Sequence, residues 1–154
     1  MAEIIIQIDT REQTPFTFPA WVKTERATIS TGDYRLKDDY LSIERKSKSD
    51  FLGTISTGWK RFVREIERMH GWPCKIVIVE SDIVSFYYQE IDNEIIHPDH
   101  DHPKLSPQFI TKRIAELSFM GVSILFCCNT ELASAIAYKI LQERWKNINK
   151  ESFK

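Results

Sequence analysis

The sequence predicts an α/β sandwich built on a central mixed sheet, and three observations carry that reading. The first third reads as short strands in succession. The remainder alternates helical and strand patterns. Two of the later strands, 75–80 (KIVIVE) and 122–127 (VSILFC), are almost unbroken apolar runs, the kind found in sheets covered on both faces.

Residues 3–9 (EIIIQID) form an apolar run that ends on Asp9, so a core strand delivers a carboxylate at its C-terminal end. Pro15 and Pro19 mark a loop. Segments 21–29 and 33–36 read as strands. The stretch 40–46 (YLSIERK), in which Leu41 and Ile43 alternate with polar neighbours, completes an antiparallel meander. Asp50 begins the next helix, where a carboxylate can cap free backbone N–H groups. That helix breaks near Thr57-Gly58 and resumes through Met69, and Gly71 and Pro73 end it.

After strand 75–80, about 20 residues separate Ser85 from Ser106, longer than an ordinary connection. Phe86-Tyr87-Tyr88 at its start either covers the core or stacks on bases, and core packing is the simpler role. His97-Pro98-Asp99-His100-Asp101-His102 has the look of a metal chelator, but its prolines and lack of periodicity indicate a surface loop. Ser106-Pro107 is a helix start, with Ile110, Ile114 and Leu117 turned inward and a stop near Gly121. Thr130 is expected to cap the last helix, which carries Leu132, Ile136, Ile140 and Leu141 on one face.

At 154 residues, residues 1–154 are expected to form one domain. The 42% hydrophobic and 28% charged content is that of a soluble globular chain, without an apolar run of the roughly 20 residues that span a bilayer. No N-terminal leader pattern is present, so the expectation is a cytoplasmic protein without a membrane partner. Three cysteines (Cys74, Cys127, Cys128) lack C-x-x-C spacing and read as free thiols rather than a zinc site or a disulfide framework. The net charge of −1 gives no support to nucleic-acid binding, but its distribution does. Residues 44–75 carry eight basic side chains against four acidic ones, whereas 81–103 carry six acidic and no Lys or Arg. Lys60, Arg61, Arg64 and Arg68 recur at helical spacing and line part of one face. A phosphate backbone is the partner such a face suits, and a solvated surface is the alternative.

Gly32-Asp33-Tyr34 precedes Glu44-Arg45-Lys46 and Asp50. On a strand, Glu44 and Lys46 project from one face and Arg45 from the other. A hairpin would bring Asp33 beside Glu44 and Lys46. Two hard oxygen ligands with an ammonium nearby suit Mg²⁺ or Mn²⁺ and a phosphate under attack.

The pattern Asp33, then Glu-Arg-Lys-x-x-x-Asp at 44–50, resembles the active-site signature of the XPF-type structure-selective DNA endonucleases. Ile8-Asp9-Thr10-Arg11-Glu12 is similar to that family's first-strand motif. Phe51-Leu52-Gly53-Thr54-Ile55 and Arg61-Phe62 resemble the helix that follows its signature. The resemblance covers about Ile4 to Glu80. It implies a restriction-endonuclease-like fold and hydrolysis of branched DNA (flaps, forks or junctions) in recombination, repair or phage genome processing. It implies catalytic roles for Asp9, Asp33, Glu44, Arg45, Lys46 and Asp50, with Asp33 and Glu44 as metal ligands and Asp9 either binding a second metal or supporting the ligands from behind. The four acids, Asp50 included, would converge on one point. Asp50 would orient Lys46 or Arg45, unless it only caps its helix. Arg11 and Lys48 join the basic residues of the following helix as DNA contacts, with Glu12 as a salt-bridge partner for Arg11. Tyr34 is expected to pack. Cellular members usually carry a tandem helix-hairpin-helix domain after the nuclease, and none is expected here, so a homodimer or a separate DNA-binding partner would select the substrate. The last helix, with Trp145 near its end, is the candidate dimer surface. The alternative from another class is a non-catalytic DNA-binding or scaffold subunit, since the family includes inactive partners.

Overall fold

The computed structural model describes residues 3–92, 94–96 and 105–151. Four strands come first: β1 (Ile5–Asp9), β2 (Lys23–Ala27), β3 (Tyr34–Arg35) and β4 (Leu41–Ser47). Helices α1 (Lys48–Ile55) and α2 (Trp59–Arg68) lead to β5 (Cys74–Glu80). A 3₁₀ turn (Ile83–Phe86) and the hairpin strands β6 (Gln89–Ile91) and β7 (Glu94–Ile96) follow. Helix α3 (Pro107–Phe119), β8 (Val122–Phe126) and α4 (Thr130–Glu151) complete the order. The six-stranded sheet runs β2-β1-β3-β4-β5-β8 among the described residues.

The sheet is mixed, as expected, but its first part is not a simple antiparallel meander. β2 lies at the edge and runs parallel to β1, while β3 is antiparallel to both β1 and β4. Residues 10–22 are long enough to return the chain for a parallel pairing. Charged residues on β2 (KTERA) suit an edge facing solvent. β4, β5 and β8 are mutually parallel. The β6–β7 hairpin, paired apart from the main sheet, occupies part of the connection that the sequence left without structure. His97 to His102 lie outside the described residues.

Helices cover both faces. On one, Ala133, Ala137 and Leu141 of α4 pack on Ile6, Ile8, Ile43 and Ile78. On the other, Phe51, Phe62, Ile66, Ile110 and Leu117 from α1, α2 and α3 pack with Val77 and Val79. Successive β5 residues thus enter opposite cores, which explains a strand apolar at nearly every position. Because Leu41 and Ile43 face α4, alternation turns Glu44 and Lys46 to the α1–α2 side.

Some local expectations are corrected and others hold. Ser47, not Asp50, caps α1, its hydroxyl accepting from the Asp50 N–H at 3.1 Å. Asn129 Oδ1, not Thr130, accepts from the Leu132 N–H at 2.8 Å to start α4. Leu132 is 43% exposed. The other three residues expected on the inner face of α4, Ile136, Ile140 and Leu141, do pack on this core, joined by the buried Ala133 and Ala137. Trp145, near the end of α4, is half-buried against the α4-side core. Phe86 is buried and meets Phe51 and Phe126 edge-on, so it serves the core. Arg113 of α3 lies between the rings of Trp59 and Phe109, 4.1 and 4.8 Å from their centroids. Its Nε donates to the Ile55 carbonyl at 3.0 Å, giving a partner to a group that the end of α1 leaves unpaired. No helix among the described residues is long and apolar enough to cross a membrane.

Two glycines behave in opposite ways. Gly32 has φ +80°, and a Cβ there would meet Ser42 Oγ at 1.9 Å. Gly53 sits inside α1, yet a Cβ there would have no neighbour within 4 Å. Gly32→Ala is therefore expected to cost more than about 1 kcal/mol. Gly53→Ala is expected to stabilise the protein by about 0.5–1 kcal/mol. Chemical denaturation of the two variants reads both signs.

Candidate active site

The β3–β4 ladder sets the site. Tyr34 pairs with Ile43, and continuing that register by one residue sets Asp33 opposite Glu44. The Asp33 N–H donates to the Ile43 carbonyl at 2.8 Å, and Asp33 Oδ2 accepts from the Arg45 N–H at 2.7 Å. Gly32 makes this possible, since its left-handed conformation lets the chain turn tightly over Ser42 just before the carboxylate. Lys46 Nζ donates to Glu44 Oε1 at 3.2 Å and lies 5.6 Å from the Phe62 ring. The structure thus brings Asp33, Glu44 and Lys46 together on the α1–α2 side.

Electrostatics mark the pair. Burial, then the charge of Glu44, push the Asp33 carboxyl up to about 7, against the Arg45 N–H, which pulls it down. Burial also raises Glu44, with the charge of Glu65 on α2 adding to the effect and Lys46 opposing it. Glu65 was not singled out in the sequence. Its spacing of three from the inward Phe62 was the available signal.

Asp9 stands next in the row, its N–H donating to the Asp33 carbonyl at 2.9 Å. Its carboxylate, however, is fully buried and engaged elsewhere. Oδ1 accepts from the N–H and Nε of Arg11, both at 2.8 Å. Oδ2 accepts from Arg11 Nη2 at 3.1 Å and the Ile29 N–H at 3.0 Å. The Arg11 hydrogen bond holds the Asp9 carboxyl below the usual carboxylate range. Four acids do not converge: among the described residues, no group of three or more His, Cys, Asp or Glu side chains is placed to hold a metal ion. Arg11 is committed to Asp9 although its side chain is 73% exposed, and Glu12 pairs with Arg45 rather than with Arg11.

Arg45 occupies the opposite face, as alternation requires. It is ion-paired to Glu80, donates Nη1 to Glu12 Oε2 at 3.2 Å and to the Thr14 carbonyl at 2.6 Å, and stacks 4.3 Å from the Phe16 ring centre. Glu80 Oε2 in turn accepts from Thr130 Oγ1 at 2.6 Å. These partners were not foreseen, although strand 75–80 ends on an acid just as strand 3–9 does. Tyr34 is buried, stacked on Phe16, and donates to Glu12 Oε2 at 2.8 Å.

Asp50 is exposed and makes no ion pair with Lys46 or Arg45 among the described residues. Lys48 is engaged by the 3₁₀ turn, its Nζ donating to the Ser85 carbonyl at 2.8 Å. Lys60, Arg61, Arg64 and Arg68 are exposed along α2, and none forms an ion pair among the described residues. Two cavities of about 610 and 620 Å³ elsewhere contain none of the predicted site residues.

The donor set fits a hard divalent cation. Asp33 and Glu44 offer oxygens whose mutual repulsion a cation would relieve, and Mg²⁺ is commonly held by one or two carboxylates with substrate phosphates.

The chain belongs to the ERCC4 domain family, whose model matches residues 8–140. Among solved structures, XPF from Aeropyrum pernix matches at 17% identity with a TM-score of 0.66, covering 91% of this chain and 61% of that one. A second structure of Aeropyrum pernix XPF, in complex with DNA, matches at 17% identity and TM-score 0.63, covering 94% and 66%. The chain therefore spans less than two thirds of the XPF chains it matches, and the likeness establishes the fold: a restriction-endonuclease-like α/β/α sandwich. Among curated proteins, none matches the sequence.

A carboxyl held at about 7 keeps, in the folded state, a proton that the unfolded chain releases near 3.8. Its stabilising contribution is full below 3.8 and declines as pH rises through about 7. Asn at position 33 has no charge to bury and still offers an acceptor to the Arg45 N–H. In chelator, the melting temperature of Asp33→Asn relative to the parent should rise between pH 5 and pH 8. A flat difference would show that Asp33 is not under this strain.

Proposed function

We propose that this protein is a Mg²⁺- or Mn²⁺-dependent DNA endonuclease that hydrolyses phosphodiester bonds, with branched DNA as its substrate. The observation that carries the reading is the Asp33–Glu44 pair, half-buried side by side with Lys46 in an ERCC4 domain. That an Aeropyrum pernix XPF of the same fold is found in complex with DNA supports the choice of substrate. The XPF-type signature at 33–50 supports branched DNA and a role in repair, recombination or phage genome processing.

In this reading Asp33 and Glu44 hold the ion, which supplies Lewis acidity and offsets phosphate charge when bound. The Arg45 N–H fixes the Asp33 carboxylate through Oδ2. Lys46, confined between Glu44 and the Phe62 ring, orients the attacking water and stabilises negative charge building on the phosphate. Asp9 holds Arg11 and the chain at Ile29, keeping the neighbouring strand end in place. The α2 cations track the DNA backbone. A homodimer or a separate DNA-binding partner would help choose the branch, and a cytoplasmic setting is part of the same proposal.

Incubation with flap, fork, junction, linear single-stranded and RNA substrates in Mn²⁺ should give cleavage of a branched DNA, abolished in Asp33→Ala. Lys46→Ala should slow cleavage by about 10²-fold or more, as for loss of one preorganised electrostatic contact. Binding of branched DNA without any cutting would overturn the enzymatic reading. Mn²⁺ should raise the melting temperature of the parent but not of Glu44→Ala. Arg64→Glu/Arg68→Glu should weaken DNA binding and flatten its salt dependence, and unchanged binding would remove α2 from the DNA surface.

A further inference from the structure

A groove of about 300 Å³ opens beside Lys46 and runs over the α1–α2 junction. Its lining includes Lys46, Asp50, Gly53, Thr54, Thr57 and Arg61. That chemistry is mixed: hydroxyls and backbone, two cations and one carboxylate, with somewhat more polar than apolar surface. The volume lies at the small end of ligand sites and suits one nucleotide rather than a duplex.

Gly53 is the second, independent observation. It lies within α1, where glycine is a poor helix former, and the protein itself gives no steric reason for it, since an added Cβ would meet nothing within 4 Å. Its backbone is therefore open to the groove. By contrast, Gly58 is required internally, because a Cβ there would crowd the Gly53 carbonyl at 3.1 Å. A glycine unneeded by the fold, on the wall of a polar groove, is what close approach of a ligand to the helix backbone requires.

We propose that this groove is a nucleotide subsite for the DNA strand leaving the catalytic pair, entered at Lys46, floored by Gly53 and closed by Arg61. The inference rests on the nuclease reading for its substrate class. Arg61 meets the backbone phosphate of that nucleotide, the Thr54 and Thr57 hydroxyls bond to its sugar-phosphate oxygens, and Asp50 accepts from a base amino group. The mixed signs of the lining match a ligand that carries an anion at one end and N–H donors at the other. Lys46 belongs to both sites, so a nucleotide seated here holds its neighbouring phosphate beside Asp33 and Glu44.

The test uses Gly53→Leu, which fills the groove from a position where the fold has room, and Thr57→Tyr, which fills it from another residue of its lining should the first variant fail to fold. Binding of a short fluorescein-labelled mixed-sequence single-stranded DNA is followed by anisotropy in chelator. Gly53→Leu is expected to keep or raise the melting temperature and to weaken binding about tenfold. Arg61→Ala should lower the slope of log affinity against log salt by about 1. Combining Gly53→Leu with Arg61→Ala should give less than the sum of the two losses, because both act on one nucleotide. Groove-filled variants that bind as tightly as the parent, or a parent that binds no oligonucleotide, would overturn the subsite. Cleavage by the parent in Mn²⁺ is scored separately: binding that responds to Gly53→Leu without any cleavage keeps the subsite and discards the nuclease reading.

Discussion

Two half-buried carboxylates that share one step of a β-ladder repel each other, and much of the surrounding architecture answers that repulsion. The Arg45 N–H neutralises part of the charge on Asp33, and the Lys46 ammonium does so for Glu44. Burial works against both, and Glu65 adds a further negative charge from α2. The outcome is an oxygen-rich pair with its charge only partly satisfied by the protein, a state that favours capture of a small hard cation.

The sheet divides the work by face. On the α1–α2 side lie the groups that would meet a metal and a nucleic acid. On the α4 side, Arg45 joins Glu12, Glu80, Phe16 and the Thr14 carbonyl, and Thr130 ties Glu80 to the first turn of the longest helix. One residue thus serves both faces: its backbone N–H positions Asp33 while its guanidinium anchors the strand to the second layer. Asp9 and Arg11 form a similar lock at the end of β1, with the Ile29 carbonyl and N–H included in it.

The fold was largely legible because its apolar strands and capped helices follow local rules. Ile43, Ile78 and Val79 obey alternation, and Ser106-Pro107 starts α3 where expected. The hairpin geometry that unites Asp33, Glu44 and Lys46 followed from the same period of two. What escaped was set by long-range choices. Nothing in residues 21–29 says that β2 crosses β1 to run parallel at the edge. Asp9 and Asp33 are both acids at strand ends, and only the placement of Arg11 and Ile29 separates an engaged carboxylate from an available one. Lys48 reads as one more cation in a basic run until the 3₁₀ turn presents its Ser85 carbonyl.

The Arg113 clamp carries a consequence for the geometry around Lys46. A planar cation wedged between Trp59 and Phe109, and bonded to the Ile55 carbonyl, pins the joint between α1 and α2 from a third helix. The joint is thus tied to α3, a segment nearly fifty residues downstream that contributes none of the acids or the lysine. A shift of α3 would therefore be felt at the α1–α2 joint and, through Phe62 and Glu65 of α2, at Lys46 and Glu44, so a remote cation is mechanically coupled to acids it never touches.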